Sequence, residues 1–359
     1  MSSILFYVTG HGYGHAVRSN EVIRSLKRLR PELKVHVRTE ASEWLFQDGL
    51  SPVSHASLGI DVGVVQKDSL RMEMGATLQA CQALHRRIPV LLGQETDFIK
   101  SKNIKLVLGD IPPLAFEIAA RAGVQSVAIG NFTWDFIYKA YTREQPAFLP
   151  LIEEMRSFYQ KATLALTLPY PCTMDAFPQQ EQIPWIARVS KLSKDAARAK
   201  FKLPPQATVV LLSFGGFGLR RFPWKSLEGI DEFFFVTTGE VGVQNRNLRI
   251  LSQAQPDYQD LVRAADAIVT KPGYGIVADV LAHRIPTLCT EREGFPEYPR
   301  LAEALTDLAT AEFIPQEELF SGNVVPYLKR LLRKAKHWPQ ISMEGAPAAA
   351  KRILTMLGP

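Results

Sequence analysis

The chain has 359 residues, enough for two domains of ordinary size. With 46% hydrophobic and 22% charged residues it has the composition of a soluble globular protein, and no apolar run approaches the length of a membrane span. A net charge of +6 permits anionic ligands or surfaces without requiring them, and the aromatic residues are not interleaved with basic ones as a nucleic-acid platform needs.

The N-terminal "MSSILFYVTG" has no basic flank and no cleavage site, so it is expected to be a first strand and not a signal peptide. It runs into a glycine loop, Gly10-His11-Gly12-Tyr13-Gly14-His15, and then into the helical pattern "SNEVIRSLKRLR". A dinucleotide fingerprint would need its last glycine where His15 stands, and only Glu40, after "KVHVRT", offers a ribose ligand. A cofactor reading is therefore weak. The glycines still permit positive φ and close approach of a substrate, and the turn aims a helix N-terminus at whatever lies beyond the strand ends.

Buried strand patterns continue at "IKLVLGD", "QSVAIGNF" and "ATLALTL", with helical stretches such as "PPLAFEIAARAG" between them, which implies a parallel sheet. Asp110 ends one of these strands. A His15–Asp110 pair would give a general base with a fixed tautomer; equally, His15 could be a polar helix-start residue and Asp110 a cap before Pro112. A proline-rich connection follows from Leu168, and alternation restarts with "ATVVLLSFGG", "FFFVTTG", "NLRILSQ", "DAIVTKPGYG" and "IPTLCTE".

The second half repeats the strand-then-glycine design at Gly215, Gly216 and Gly218, with Arg220 and Arg221 suited to a pyrophosphate or to solvent. Near Lys271 another strand ends in a Pro-Gly-Tyr-Gly turn, and a helix is expected from about Ile276, with Asp279 one turn in and able to hold a ribose hydroxyl. The expected fold is α/β: two Rossmann-like domains facing across a cleft, over residues 1–188 and 189–342, with a last helix in 343–359 crossing back to the first domain. Cys81, Cys172 and Cys289 show no metal spacing and suit reduced buried thiols in the cytoplasm.

The motifs "GHGYGHAVR", "GDIPPLAFEIAARAGVQSVAIGNFTWDFIY" and "KPGYGIVADVLAHRIPTL", with "FPEYPRL" beyond, resemble glycosyltransferases of the GT-B fold. They are similar to the peptidoglycan UDP-N-acetylglucosamine transferases, to plant small-molecule glucosyltransferases and, most of all, to the glycosyltransferase-like N-terminal half of plant L-arabinokinases. The P-loop motif GxxxxGK[ST] is absent.

The resemblance implies that His15 is the base and Asp110 its orienting partner. It places the donor phosphates on the Gly273–Gly275 turn, a ribose hydroxyl on Asp279, the donor sugar near Glu297 and Arg300, and the nucleotide base near Ala254 and Gln255. Gly216, Phe217, Arg220, Lys271, Tyr274 and Ile276 complete the expected donor side, and Gly12, Tyr13, Gly14, Trp134 and Asp135 the acceptor side. Asp279 is shorter than the family's glutamate, and Glu297 puts a carboxylate where the family has an amide, so the donor sugar is open. The family's lipid-contacting patch is not evident, so a membrane acceptor is not expected, while weak peripheral membrane contact stays open.

The implied reaction is inverting, metal-independent transfer from a nucleotide-diphosphate sugar, most simply a UDP-sugar, to a small-molecule or glycan acceptor, with no cofactor, no metal and no nucleic acid. No Asp-x-Asp cluster is seen. A nucleotide-sugar epimerase and a sensor without turnover are the alternatives.

Overall fold

The computed structural model describes residues 2–46, 53–67, 70–215, 222–239, 241–243, 245–254, 257–292 and 294–358. In chain order the first half comprises β1 (Ser3–Val8), α1 (Tyr13–Leu29), β2 (Lys34–Arg38), β3 (Ser54–Ala56), α2 (Met74–Ser101), β4 (Ile104–Asp110), α3 (Leu114–Ala122), β5 (Gln125–Gly130), α4 (Trp134–Lys139), α5 (Leu149–Tyr159), β6 (Leu164–Thr167) and β7 (Gln180–Gln182). The second comprises α6 (Lys194–Lys200), β8 (Val209–Ser213), β9 (Phe234–Thr238), β10 (Leu248–Leu251), α7 (Tyr258–Ala264), β11 (Ala267–Thr270), α8 (Tyr274–His283), β12 (Thr287–Thr290), α9 (Tyr298–Leu308), β13 (Ala311–Ile314), α10 (Gln316–Ser321), α11 (Val325–Arg333) and α12 (Gly345–Leu357).

The strands form two sheets, ordered β3-β2-β1-β4-β5-β6-β7 and β10-β9-β8-β11-β12-β13, and every named pairing is parallel. The α/β class with two Rossmann-like sheets is the architecture expected from the alternating pattern. Central strands are largely apolar because helices cover both faces: β1 is buried at all six positions. β3 and β7 had no sequence signal. They are three-residue edge strands, and the sequence of β7, Gln-Glu-Gln, is exposed at every position, so no apolar alternation marks it.

Register places the functional strand ends. Val8 pairs with Asp110, and the Thr9 amide donates to the Asp110 carbonyl at 2.8 Å, which brings the first glycine loop and the end of β4 together. In the second sheet Ser213 pairs with Thr270, so the ends of β8 and β11 also align. Gly12, at φ 78°, turns the chain into α1; a side chain there would be strained.

The last helix lies against the first half of the molecule. α12 packs on α1 through its small buried face, Ala346, Ala349, Ala350 and Ile353, and Arg30 donates to the Gly358 carbonyl at 3.0 Å. Close seating at its start requires Gly345, because a Cβ there would come within 2.2 Å of the Pro184 carbonyl oxygen. No helix of the described residues is long and apolar enough to cross a membrane.

Candidate active site

The carboxyl ends of the two sheets border a common cleft. On one wall stand His11, Gly12, Tyr13, Gly14, His15 and Arg18; on the other, Ser213, Gly215, Lys271, Gly273, Tyr274, Gly275, Ile276, Asp279, Arg292, Phe295 and Glu297. The two helix N-termini converge here. A Cβ on Gly275 would sit 3.4 Å from the Gly14 Cα, so these glycines let the start of α8 approach the start of α1 backbone to backbone.

His15 and Asp110 are in contact, with Nδ1 of His15 2.8 Å from Oδ1 of Asp110. Asp110 is fully buried and its oxygens are saturated. Arg18 donates through Nε to Oδ2 at 2.7 Å and through Nη2 to Oδ1 at 2.6 Å, and Ser19 donates to Oδ2 at 2.9 Å. Burial alone would raise the Asp110 pKa, but Arg18 and His15 outweigh it and hold the carboxyl down at about 2. His15 is itself shifted below 6.5, first by burial and then by the Arg18 charge, against the opposing pull of Asp110. It is therefore neutral near pH 7. Nη2 of Arg18 also lies 2.9 Å from Nδ1, but that N–H has Oδ1 as its shorter acceptor at 2.6 Å, and the ionised carboxylate is the stronger partner for an imidazole N–H; we therefore assign the proton to Nδ1, which leaves the Nε2 lone pair to accept a proton.

Sequence reasoning overlooked Arg18. It is three residues beyond His15 and so on the same helix face, and a charged residue in the buried stripe of α1 was the available signal. Arg18 also donates through Nη1 to Asn131 at 2.9 Å, and Asn131 donates to Glu297 at 2.7 Å. A buried polar chain thus runs from His15 in the first sheet's domain to Glu297 in the second's.

On the second wall, α8 begins at Tyr274, two residues earlier than expected, with Gly273 in extended backbone before it. Tyr274 stacks on Trp185 with ring centroids 5.0 Å apart. Asp279 does face the cleft, but both of its oxygens are engaged by Arg188, from the backbone N at 3.2 Å and from Nη2 at 2.6 Å. Arg188 lies in the connection between the sheets and was not singled out from the sequence. Ala254 is exposed, and its neighbour Gln253 lines the cleft. Gly216, Phe217, Arg220 and Gln255 lie outside the described residues.

Three expectations need correction. Arg300 does not border the cleft: on α9 it turns to the first half of the chain, donating to the Pro171 carbonyl at 3.1 Å and pairing with Glu303. Trp134 is buried one layer back, where its indole N–H donates to Asp61 at 2.7 Å, because His11 and Phe132 occupy the space in front of it. Asp135 is likewise enclosed, accepting from Arg156 at 2.8 Å. His11, by contrast, lines the cleft beside Phe295, with its pKa pushed well down by burial and by Arg292, His15 and Lys271.

Two parallel-stranded sheets whose glycine turns converge on one cleft give the chain the α/β architecture of GT-B glycosyltransferase structures. Residues 2–158 match the family model described as Glycosyl transferase family 1. The chain is 29% identical over 333 residues to L-arabinokinase of Arabidopsis thaliana, covering 90% of this chain but 32% of that protein, so it spans about a third of that relative's length. It is 24% identical over 285 residues to an uncharacterized glycosyltransferase of Methanopyrus kandleri, covering 73% of this chain and 79% of the relative. Among solved structures, the glycotransferase of kitacinnamycin superposes with a TM-score of 0.64 at 16% identity, over 99% of this chain and 94% of that one.

Proposed function

We propose that the protein moves a sugar from a nucleotide-diphosphate donor, a UDP-sugar in the simplest case, to a hydroxyl of a small-molecule or glycan acceptor, with inversion and without a metal ion. The observation that carries the reading is the approach of Gly14 to Gly275, which sets His15 beside the α8 N-terminus. In this reading the acceptor O–H gives its proton to Nε2 of His15. The acceptor oxygen bonds to the anomeric carbon as the bond to the β-phosphate oxygen breaks, and the nucleoside diphosphate leaves with the electron pair. Attack from the face opposite the leaving group inverts the centre.

The diphosphate would lie on the Gly273–Gly275 turn, where the first amides of α8 and the Lys271 ammonium favour negative charge. Asp110 acts as a positioning residue: it fixes the His15 tautomer and stabilises the imidazolium that forms. The buried, unpaired Cys81, Cys172 and Cys289 suit a reducing compartment, and we assign the protein to the cytoplasm on that ground.

The test is incubation with a panel of UDP- and dTDP-sugars, following bound nucleotide by calorimetry and released nucleoside diphosphate by chromatography. Nucleotide binding with release of diphosphate that depends on His15 supports transfer. Binding without any release, across donors and acceptors, supports the sensor alternative.

A further inference from the structure

Arg292 has a feature that the transfer chemistry does not use. It follows β12, lines the cleft and is only 7% exposed. Among the described residues no hydrogen bond or ion pair reaches it, and its Nε is buried with no partner. Its described contact is with Phe295, whose ring centroid lies 3.7 Å from the guanidinium carbon. Native proteins pair buried charges because desolvating an isolated ion is expensive. An arginine held this way at a cleft wall has a place for an anion.

We propose that Arg292 receives an oxyanion carried by the transferred sugar, and that the preferred donor is a nucleotide-linked sugar acid whose carboxylate meets the guanidinium. This rests on the transfer reading above. Position separates this role from that of a phosphate ligand. The phosphate turn and Lys271 stand at the end of β11, whereas Arg292 stands at the end of the neighbouring strand β12. There it shares Phe295 with His11 of the opposite wall, whose ring is stacked at 5.9 Å on the same phenyl. The group that bridges the donor phosphates and the acceptor loop is the sugar.

Glu297 is the nearby acid: its charge acts on Arg292 and opposes the effect of burial, but no hydrogen bond joins them among the described residues, and Glu297 accepts from Asn131. Burial lowers the Arg292 pKa to about 10, so it stays charged at neutral pH. Its planar fork suits a carboxylate held through two parallel hydrogen bonds.

The test uses the full-length protein and its Arg292→Gln and Arg292→Lys variants, titrated by calorimetry with UDP, UDP-glucose, UDP-glucuronate, free glucuronate, glucose and inorganic phosphate. Melting curves verify that each variant is folded. The proposal expects wild type to favour UDP-glucuronate over UDP-glucose by on the order of 10- to 100-fold, the scale of a hydrogen-bonded charge pair. It expects Arg292→Gln to erase that preference with UDP affinity unchanged, and Arg292→Lys to retain part of it.

Equal binding of the two sugars, or a loss of UDP and phosphate affinity in Arg292→Gln, overturns the assignment, the latter by making Arg292 a phosphate ligand. If no nucleotide binds, the transfer reading fails. The free sugars then decide for Arg292: an Arg292-dependent preference for glucuronate over glucose keeps the oxyanion site, and its absence removes it.

Discussion

Arg18 and His15 share one oxygen of Asp110: Nη2 of Arg18 lies 2.6 Å and Nδ1 of His15 2.8 Å from Oδ1. The arrangement keeps the carboxylate ionised and lowers the affinity of the imidazole for a proton. It yields a neutral base with a fixed orientation in a buried setting, and it makes the properties of His15 depend on a residue one helical turn away.

Replacing His15 with Ala should reduce turnover by roughly 10²–10⁴-fold, the range for a positioned proton acceptor, while nucleotide affinity is kept because the donor wall belongs to the other sheet. Steady-state release of nucleoside diphosphate, set beside calorimetric binding of the nucleotide, checks both halves. Parent-level turnover would rule out His15 as the base.

The pH profile carries a sign. A base with its pKa below 6.5 is in its working form at neutral pH and is lost as pH falls through that pKa. The rate should be level through pH 7 and decline on an acidic limb whose midpoint lies under 6.5. A midpoint above 6.5 would contradict the lowered pKa.

Arg18→Met should act on both stability and pH dependence. It leaves Asp110 as a buried charge with a weaker set of partners, and removing one member of such a pair costs about 3–5 kcal/mol. Because Arg18 depresses the His15 pKa, the acidic limb should also move to higher pH in the variant. Urea denaturation gives the first quantity and the rate profile the second; a destabilised protein with an unmoved limb would show that Arg18 serves structure alone.

Acid should unfold the protein partly through Asp110. Its folded pKa of about 2 lies below the unfolded value, so its contribution is complete above the unfolded pKa and fades as pH falls through the folded one. Between about pH 4 and pH 2 the denaturation midpoint should therefore fall less steeply in Asp110→Asn than in the parent, provided that the variant is measured against its own value at pH 6.

Asp279→Ala tests the donor wall. If the carboxylate holds a ribose hydroxyl, its loss should weaken nucleotide binding by about 1–3 kcal/mol. The same change frees Arg188, which now engages both oxygens of Asp279. Arg188→Ala distinguishes the two effects: weakened binding in both variants assigns the pair jointly, and weakening in Asp279→Ala alone assigns the carboxylate. Unchanged affinity in Asp279→Ala counts against a donor role for it.

The alternating buried strands, the glycine turns and the pairing of His15 with Asp110 as one of two readings were legible in the sequence. Each is a local pattern: an apolar run, a glycine that permits a turn such as Gly12, a polar residue at a helix start. Their strand-end positions follow once the sheets are parallel. What the pattern could not reveal depends on register and on contacts distant in the chain. Arg18 reaches Asp110 across 92 positions, Arg188 reaches Asp279 across 91, and Asn131 reaches Glu297 across 166. Trp134 and Asp135 share a motif with the cleft yet are enclosed, while Arg300, one turn beyond Glu297, faces another part of the molecule. A sequence specifies which side chains are available at each turn; only the packed domains decide which are desolvated, which find partners, and which, like Arg292, have no hydrogen-bond partner among the described residues.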